Sequence, residues 1–158
     1  MPVADTPWYR DREARRFIAY RYLPWLAGLN LAWELAQLPL YTIWREASAG
    51  HIAFAVAHCT VGDILIGAAA LALALIAVRA GALARWRWLH VTLTATAAGA
   101  AYTLVSEWMN TSLRQGWAYS ESMPTLELGG FAIGLAPLAQ WLVVPPLALY
   151  LARRGASR

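Results

Sequence analysis

The sequence predicts an all-α polytopic membrane protein, a single domain built as a bundle of four transmembrane helices. Of its 158 residues, 59% are hydrophobic and only 14% are charged, whereas about a quarter of the residues in a soluble domain are charged. Mean hydropathy is +0.43. Four mostly apolar stretches each reach the length of about 20 residues that a membrane helix needs.

The four predicted spans cover residues 22–44, 52–78, 86–109 and 130–151. The second contains the longest apolar run, ILIGAAALALALIAV. Polar or turn-forming segments separate the spans: REASAG, RAGALAR and the longer segment 110–129. Each stretch is therefore expected to cross the bilayer with some tilt.

The arginines predict the orientation of the bundle. Every basic side chain is Arg, which fits a GC-rich bacterial genome, and only Arg45 and Arg114 lie on one side of the predicted spans. Because positive residues favour the cytoplasmic side, both termini are expected in the cytoplasm, beneath a bacterial inner membrane. The eleven arginines on that side are Arg10, Arg12, Arg15, Arg16, Arg21, Arg79, Arg85, Arg87, Arg153, Arg154 and Arg158.

The N-terminal stretch WYRDREARRFIAYRY combines arginines with aromatic residues. It predicts an amphipathic interfacial helix on the inner surface, with a solvated charged tail as the simpler alternative. The pI of about 9.6 does not indicate a nucleic-acid partner, since the arginines flank apolar runs; the lipid bilayer is the expected partner. The single cysteine, Cys59, excludes an internal disulfide and a CxxC metal motif.

Polar residues are predicted to cluster between the middle of the membrane and its outer surface. With a rise of ~1.5 Å per residue, Glu34 lies ~15 Å from the outer end of its span and Asp63 lies ~18 Å from that of the next. His58 is ~10 Å deep, and Glu107 lies within about one turn of the outer end of the third span. The inner halves of the spans carry almost no polar residues.

A carboxylate at that depth costs at least about 2.5–3.5 kcal/mol unless it is neutral or paired, and such groups are usually functional. Four residues are therefore candidates for catalysis: Glu34, His58, Asp63 and Glu107. Six further residues are candidates for substrate binding. Asn30, Gln37 and Tyr41 share a helix face with Glu34, Trp117 and Tyr119 lie in segment 110–129, and Gln140 lies ~15 Å from the outer end of the fourth span. Asp63 is rotated by ~140° from His58 at 100° per residue, so the two are expected to face different neighbours.

Segment 110–129 is expected to be the large extracytoplasmic loop. It contains an aromatic pair, hydroxyl groups, a Met-Pro turn and two acids. Two interpretations are open, a lid over the polar residues or an anchor lying among the lipid headgroups.

Several functions are compatible with these residues. The first is an intramembrane acid–base enzyme, of isomerase, cyclase or hydratase type, that acts on a lipid-soluble small molecule. The second is a protein that binds or transports protons or metal ions, with His51 and His58 as ligands of a transition metal. The third is a small integral subunit of a larger complex, in which the polar residues only clasp the helices together. No cofactor is favoured, and the oligomeric state is left open.

The predicted architecture looks like that of the lipoprotein signal peptidases and of sterol-isomerase-type bundles. The paired-aspartate motifs of the former and the sequence pattern of the latter are absent, so no residue role is carried over from either.

Overall fold

The computed structural model of the protein describes residues 6–114 and 116–155, and most of them are helical. Arg158, one of the arginines used to predict the orientation, lies outside this part of the chain. The helices are α1 (Arg12–Phe17), α2 (Leu23–Gln37), α3 (Ile43–Glu46), α4 (Ala49–Ala77), α5 (Trp88–Trp108) and α6 (Leu135–Arg154), and the strands are β1 (Thr125–Leu128) and β2 (Phe131–Gly134).

The four longer helices pack in a ring. Helix α2 contacts α4 and α6, and α5 contacts the same two helices. At the end of the bundle where α1 packs, the interior is apolar and closely packed, with Leu26, Leu71, Val91 and Leu149 almost completely buried. Close packing of this kind fixes the relative rotation of the helices, and it therefore determines which side chains face one another at the opposite end.

The prediction of an all-α fold is wrong in one place. Strands β1 and β2 form an antiparallel hairpin within the predicted loop and the start of the predicted fourth span. Gly129 and Gly130, both with positive φ (58° and 88°), make its two-residue turn. Gly-Gly is among the few pairs that fit such a turn without strain. Because the hairpin takes up residues 125–134, helix α6 begins only at Leu135.

Prolines shape the first predicted span, 22–44. A π-helical stretch, Ile18–Tyr22, joins α1 to α2 immediately before Pro24, whose ring is incompatible with a regular α-helix at that point. Helix α2 ends at Gln37, and Pro39 lies in the 3₁₀ turn Leu38–Leu40 that follows. The helical part of this span is therefore shorter than predicted.

The N-terminal helix α1 is tied to the end of the bundle. Asp11 caps it by accepting a hydrogen bond from the Ala14 N–H (3.2 Å), and the same carboxylate oxygen accepts the Leu83 N–H (2.8 Å). Phe17 packs edge-on against Trp86 and Trp88, with ring centroids 5.8 and 5.4 Å away. The predicted helix therefore exists, but it continues into α2 instead of forming a separate element.

Two of the described helices are long and apolar enough to cross a membrane. They are Ala49–Ala77, with a mean hydropathy of 2.2, and Leu135–Arg154, with a mean hydropathy of 1.5. Length and composition alone are weak indicators, because a buried helix of a soluble protein meets the same criteria.

The close approach of α5 and α6 at Gly99 gives a test of this packing. A Cβ at Gly99 would overlap the ring of Trp141, a buried side chain with little room to move. We expect Gly99→Ala to destabilise the protein by about 1–3 kcal/mol through overpacking, measured by thermal unfolding in detergent. Gly62→Ala is the matched control, since its Cβ meets nothing within 4 Å, and it should be neutral or gain up to about 1 kcal/mol from helix propensity. Equal effects of the two changes would contradict the α5–α6 packing.

Candidate functional site

Gln140 on α6 holds side chains from two other helices. Its Nε2 donates to the Asp63 carboxylate on α4 (2.8 Å) and to Asn30 Oδ1 on α2 (2.9 Å). Gln140 is only 2% exposed and Asn30 only 1%. We call these residues, with Glu34 and Gln37, the polar cluster: Asn30, Glu34, Gln37, Asp63 and Gln140.

Gln37 connects the rest of the cluster along α2. Its Nε2 donates to Glu34 Oε1 (2.8 Å) and makes a longer contact to Gln140 Oε1 (3.4 Å). Its own Oε1 accepts from the indole N–H of Trp33 (3.2 Å). These bonds orient the two glutamine side chains so that their amide N–H groups face the acids, where a carboxylate can accept hydrogen bonds from them.

The two acids of the cluster are neighbours. The carboxyl groups of Glu34 and Asp63, from α2 and α4, lie within hydrogen-bonding reach of each other. A hydrogen bond between two carboxyl groups requires one proton, because an ionised carboxylate has acceptors only. The pair therefore offers a proton donor and a proton acceptor side by side.

A second acidic group lies nearer the hairpin. The Tyr119 hydroxyl donates a very short hydrogen bond to Glu107 Oε2 and accepts the Gly134 N–H (2.9 Å). Glu107, on α5, is only 5% exposed. Burial raises the pKa of the Tyr119 phenol, and the hydrogen bond to Glu107 and the charge of that group raise it further. We call Tyr41, Glu107, Trp117 and Tyr119 the loop site.

Tyr41 links the loop site to the polar cluster. Its ring lies 5.8 Å from that of Tyr119, and its hydroxyl is close enough to both Glu107 and Glu34 to feel their charges. The backbone is paired here as well: the Thr42 N–H donates to Ala118 O (3.0 Å), and the Ser120 N–H donates to Leu40 O (2.9 Å). The loop is thus fixed by backbone pairing to the segment that follows α2.

Some buried polar atoms near these groups make no hydrogen bond within the described part of the chain. They are Asn30 Nδ2 in the polar cluster, Thr60 Oγ1 on α4 and Trp117 Nε1 in the loop site. The Trp117 indole points towards Glu107 without reaching hydrogen-bond geometry. A buried donor without a partner costs free energy, so these atoms mark where a bound molecule would gain hydrogen bonds.

The histidines lie apart from the acids. His58 is exposed and stacks on Phe54 at 5.7 Å, because its rotation from Asp63 along α4 turns it away from the interior. His51 is exposed in the first turn of α4, where its N–H bonds to Ser48. Within residues 6–114 and 116–155, no group of three or more His, Cys, Asp and Glu side chains is arranged to hold a metal ion.

Two neighbours of the cluster were not among the predicted site residues. Cys59 is close enough to Glu34, Asp63 and Glu107 to interact with their charges. It could have been predicted from the sequence, because it lies one helical turn before Asp63 on the same face of α4. Trp33 bonds to Gln37 at the helical spacing of four residues. A lone tryptophan in an apolar run gives no comparable signal, since it normally packs in a core or at an interface.

Comparisons with known proteins give no relative. The chain matches no protein-family model, no curated protein and no solved structure.

The hydrogen bonds of Gln140 give a prediction about stability. Gln140→Met keeps the volume but leaves Asp63 and Asn30 without their donor, so we expect a loss of about 1–3 kcal/mol in the free energy of unfolding. In an Asp63→Ala background, Gln140→Met should lower the free energy of unfolding by less, because the Asp63 carboxylate that would lose its donor is already absent. Chemical or thermal unfolding of all four proteins measures this coupling. A Gln140→Met cost that is unchanged in the Asp63→Ala background would show that the bond to Asp63 contributes nothing.

The shifted pKa of Tyr119 gives a pH-dependent prediction. We expect Tyr119→Phe to lose about 1–3 kcal/mol, because Glu107 and the Gly134 N–H lose a hydrogen-bond partner. Since the folded pKa of Tyr119 is raised above its ordinary value of about 10, its contribution is fully present below that pH and is lost as the pH rises through the folded pKa. The difference in stability between wild type and Tyr119→Phe should therefore shrink above about pH 10. Tyr20→Phe, a change at a 77% exposed side chain, should show no such difference at any pH.

Proposed function

We propose that this protein is a multi-pass inner-membrane protein of bacteria whose polar cluster carries out acid–base chemistry on a lipid-soluble small molecule. The outward faces of the helices support the membrane location. All four helices of the ring expose large apolar side chains, including Leu35 on α2 (56%), Leu65 on α4 (66%), Leu93 on α5 (60%) and Leu142 on α6 (55%). Apolar side chains exposed around the whole bundle would be unfavourable in water and are favourable in lipid.

The proposed topology has four spans with both termini in the cytoplasm. It rests on the arginines, which are concentrated in the sequence before α2, in the 79–87 connection and after residue 152, since positive residues favour the cytoplasmic side. The loop site then faces the outer side of the membrane. Helix α2 is short for a membrane span, but it continues from α1 through the π-helical stretch. The continuous helix available to the first proposed span is therefore longer than α2 alone.

The contact between Glu34 and Asp63 is the single observation that carries the proposed chemistry. A clasp between helices needs only amides, as the bond of Gln140 to Asn30 illustrates. Two acids repel when both are charged, and this makes them poor clasps. As one proton donor beside one proton acceptor, however, they are suited to general acid–base catalysis.

The simplest reaction of this class is the shift of a carbon–carbon double bond. The protonated carboxyl of the pair gives its proton to one carbon of the double bond, which forms a new C–H bond. The other carboxylate removes a proton from a carbon next to the resulting cation, and the electron pair of the broken C–H bond forms the new double bond. Trp33 and Tyr41 are the nearby aromatic side chains that can stabilise the transient positive charge.

A second candidate function is proton handling. It is favoured by the position of Tyr41 between the charges of Glu34 and Glu107, which lines up carboxyl and phenol groups from the polar cluster to the loop site. In that case the same groups pass protons along without a substrate.

Deuterium labelling tests the proposed enzyme even when its substrate is unidentified. The protein is reconstituted into liposomes with a total lipid extract of a bacterial membrane in D₂O, and lipid-soluble compounds are compared by mass spectrometry. Acid–base chemistry at carbon would leave deuterium in positions that do not exchange with solvent. We expect labelling to fall by about 10²-fold or more in Glu34→Gln and in Asp63→Asn, the usual contribution of a general acid or base.

The matched control is Glu46→Gln, the same chemical change at an exposed acid on α3, and it should label like wild type. Labelling that persists in both Glu34→Gln and Asp63→Asn would rule out the proposed role of the acid pair. A complete absence of protein-dependent labelling, together with acid-dependent proton flux into the liposomes, would favour the second candidate.

A further inference from the structure

Three adjoining grooves surround Tyr20 at the cytoplasmic end of the proposed topology. The first, of about 640 Å³, is bordered by Arg12, Arg15 and Arg16. The second, of about 360 Å³, lies between Arg16, Arg21 and Leu83, and the third, of about 350 Å³, reaches towards Trp25 and α6. Tyr20 borders all three and is 77% exposed, so the grooves form one connected surface, which we call the Tyr20 groove.

The arginines of the first groove have no acidic partner among the described residues. In the part of the chain that the structure describes, no ion pair joins Arg12, Arg15 or Arg16 to a carboxylate. The carboxylate of Asp11 already accepts two backbone N–H groups. Glu13 borders the second groove, and no acid is among the described residues that border the first. The first groove is therefore the most favourable place for a bound negative charge.

Arg21 supplies an independent sign of a ligand. Its Nη1 is buried and makes no hydrogen bond to any described residue, and it lies in the third groove beside the end of α6. A buried guanidinium nitrogen without an acceptor is costly, and arginine donors match the oxygens of a phosphate. An anion in the groove would satisfy this atom.

The polarity of the groove changes along its length. Its first part is lined by three arginines, whereas the third has Arg21 as its one charged residue beside Pro24, Trp25 and Leu151. A free anion would use only the basic part. A molecule with a phosphate at one end and a hydrocarbon chain at the other would use all of it.

We propose that the Tyr20 groove binds an anionic phospholipid from the cytoplasmic leaflet. Its headgroup phosphate is held by Arg12, Arg15, Arg16 and Arg21, and an acyl chain follows Trp25 and Leu151. Basic pockets between membrane helices on this side commonly hold anionic headgroups. The inference rests on the membrane location given under the proposed function, but not on the chemistry of the polar cluster.

The test compares thermal unfolding of the full chain in nanodiscs of phosphatidylcholine alone and of phosphatidylcholine mixed with phosphatidylglycerol. For wild type, we expect the mixed lipid to raise the Tm by about 5–10 °C, the shift that saturating binding gives a chain of this size. Arg16→Gln, a change at an exposed side chain that should not disturb folding, is expected to lose most of this shift. Because each variant is its own reference between the two lipids, a general loss of stability cancels.

The matched control is Arg79→Gln, which removes the same charge at the same end of the bundle but outside the groove, and it should keep the shift. If Arg16→Gln and Arg79→Gln lost the same part of the Tm shift, the shift would come from unspecific surface charge, and the proposal of a lipid site in the Tyr20 groove would be wrong. The same shift from inorganic phosphate in detergent would also overturn the lipid, since it would make a free anion the ligand. Glu34→Gln should respond to phosphatidylglycerol like wild type, which separates failure of this inference from failure of the proposed function.

Discussion

The amide of Gln140 is the interaction on which the site depends. Among the described side chains, it alone hydrogen-bonds from α6 to residues of both α2 and α4, through Asn30, Gln37 and Asp63. An amide can do this because it carries two donors and an acceptor on one rigid group. A hydrophobic residue of the same size would fill the space but would leave Asp63 and Asn30 without the donor that Gln140 supplies. The position of Asp63 relative to Glu34 therefore follows from the position of Gln140.

The bundle divides its interior between two kinds of packing. At the end where α1 packs, the helices meet through aliphatic side chains such as Leu26, Leu75 and Val91. The buried Tyr22 hydroxyl in that half donates to a backbone carbonyl, that of Gly67 (3.3 Å). Towards the hairpin the helices meet through amides, acids and hydroxyls. The apolar half supplies the rigid packing, and this rigidity holds the amides and acids of the polar half in their arrangement. Rigid packing matters here because buried polar groups in a low-dielectric interior are stable only when their hydrogen-bond partners are held in place.

Much of the site could be predicted from the sequence, because depth and helical spacing depend only on position along the chain. Asn30, Glu34 and Gln37 recur on one helix face, and the structure places them together. The same arithmetic separates His58 from Asp63, yet no local pattern indicates which of them faces inward. Only packing decides this: Asp63 faces the interior, where its carboxylate accepts a hydrogen bond from Gln140 of α6, and His58 is left outside against Phe54.

The amino-acid sequence by itself determined the helical character of the chain, the separation of its polar and apolar halves and the candidate acids, because composition and periodicity are properties of single segments. The tertiary structure decided which acids are neighbours, that the Tyr41 ring lies beside that of Tyr119, and that the segment before α6 is a hairpin with Tyr119 hydrogen-bonded to Glu107. These features depend on the relative rotation of separate helices and on the path of a loop. Both are set by contacts between residues that are distant in the chain, and such contacts leave no mark on the spacing within one segment.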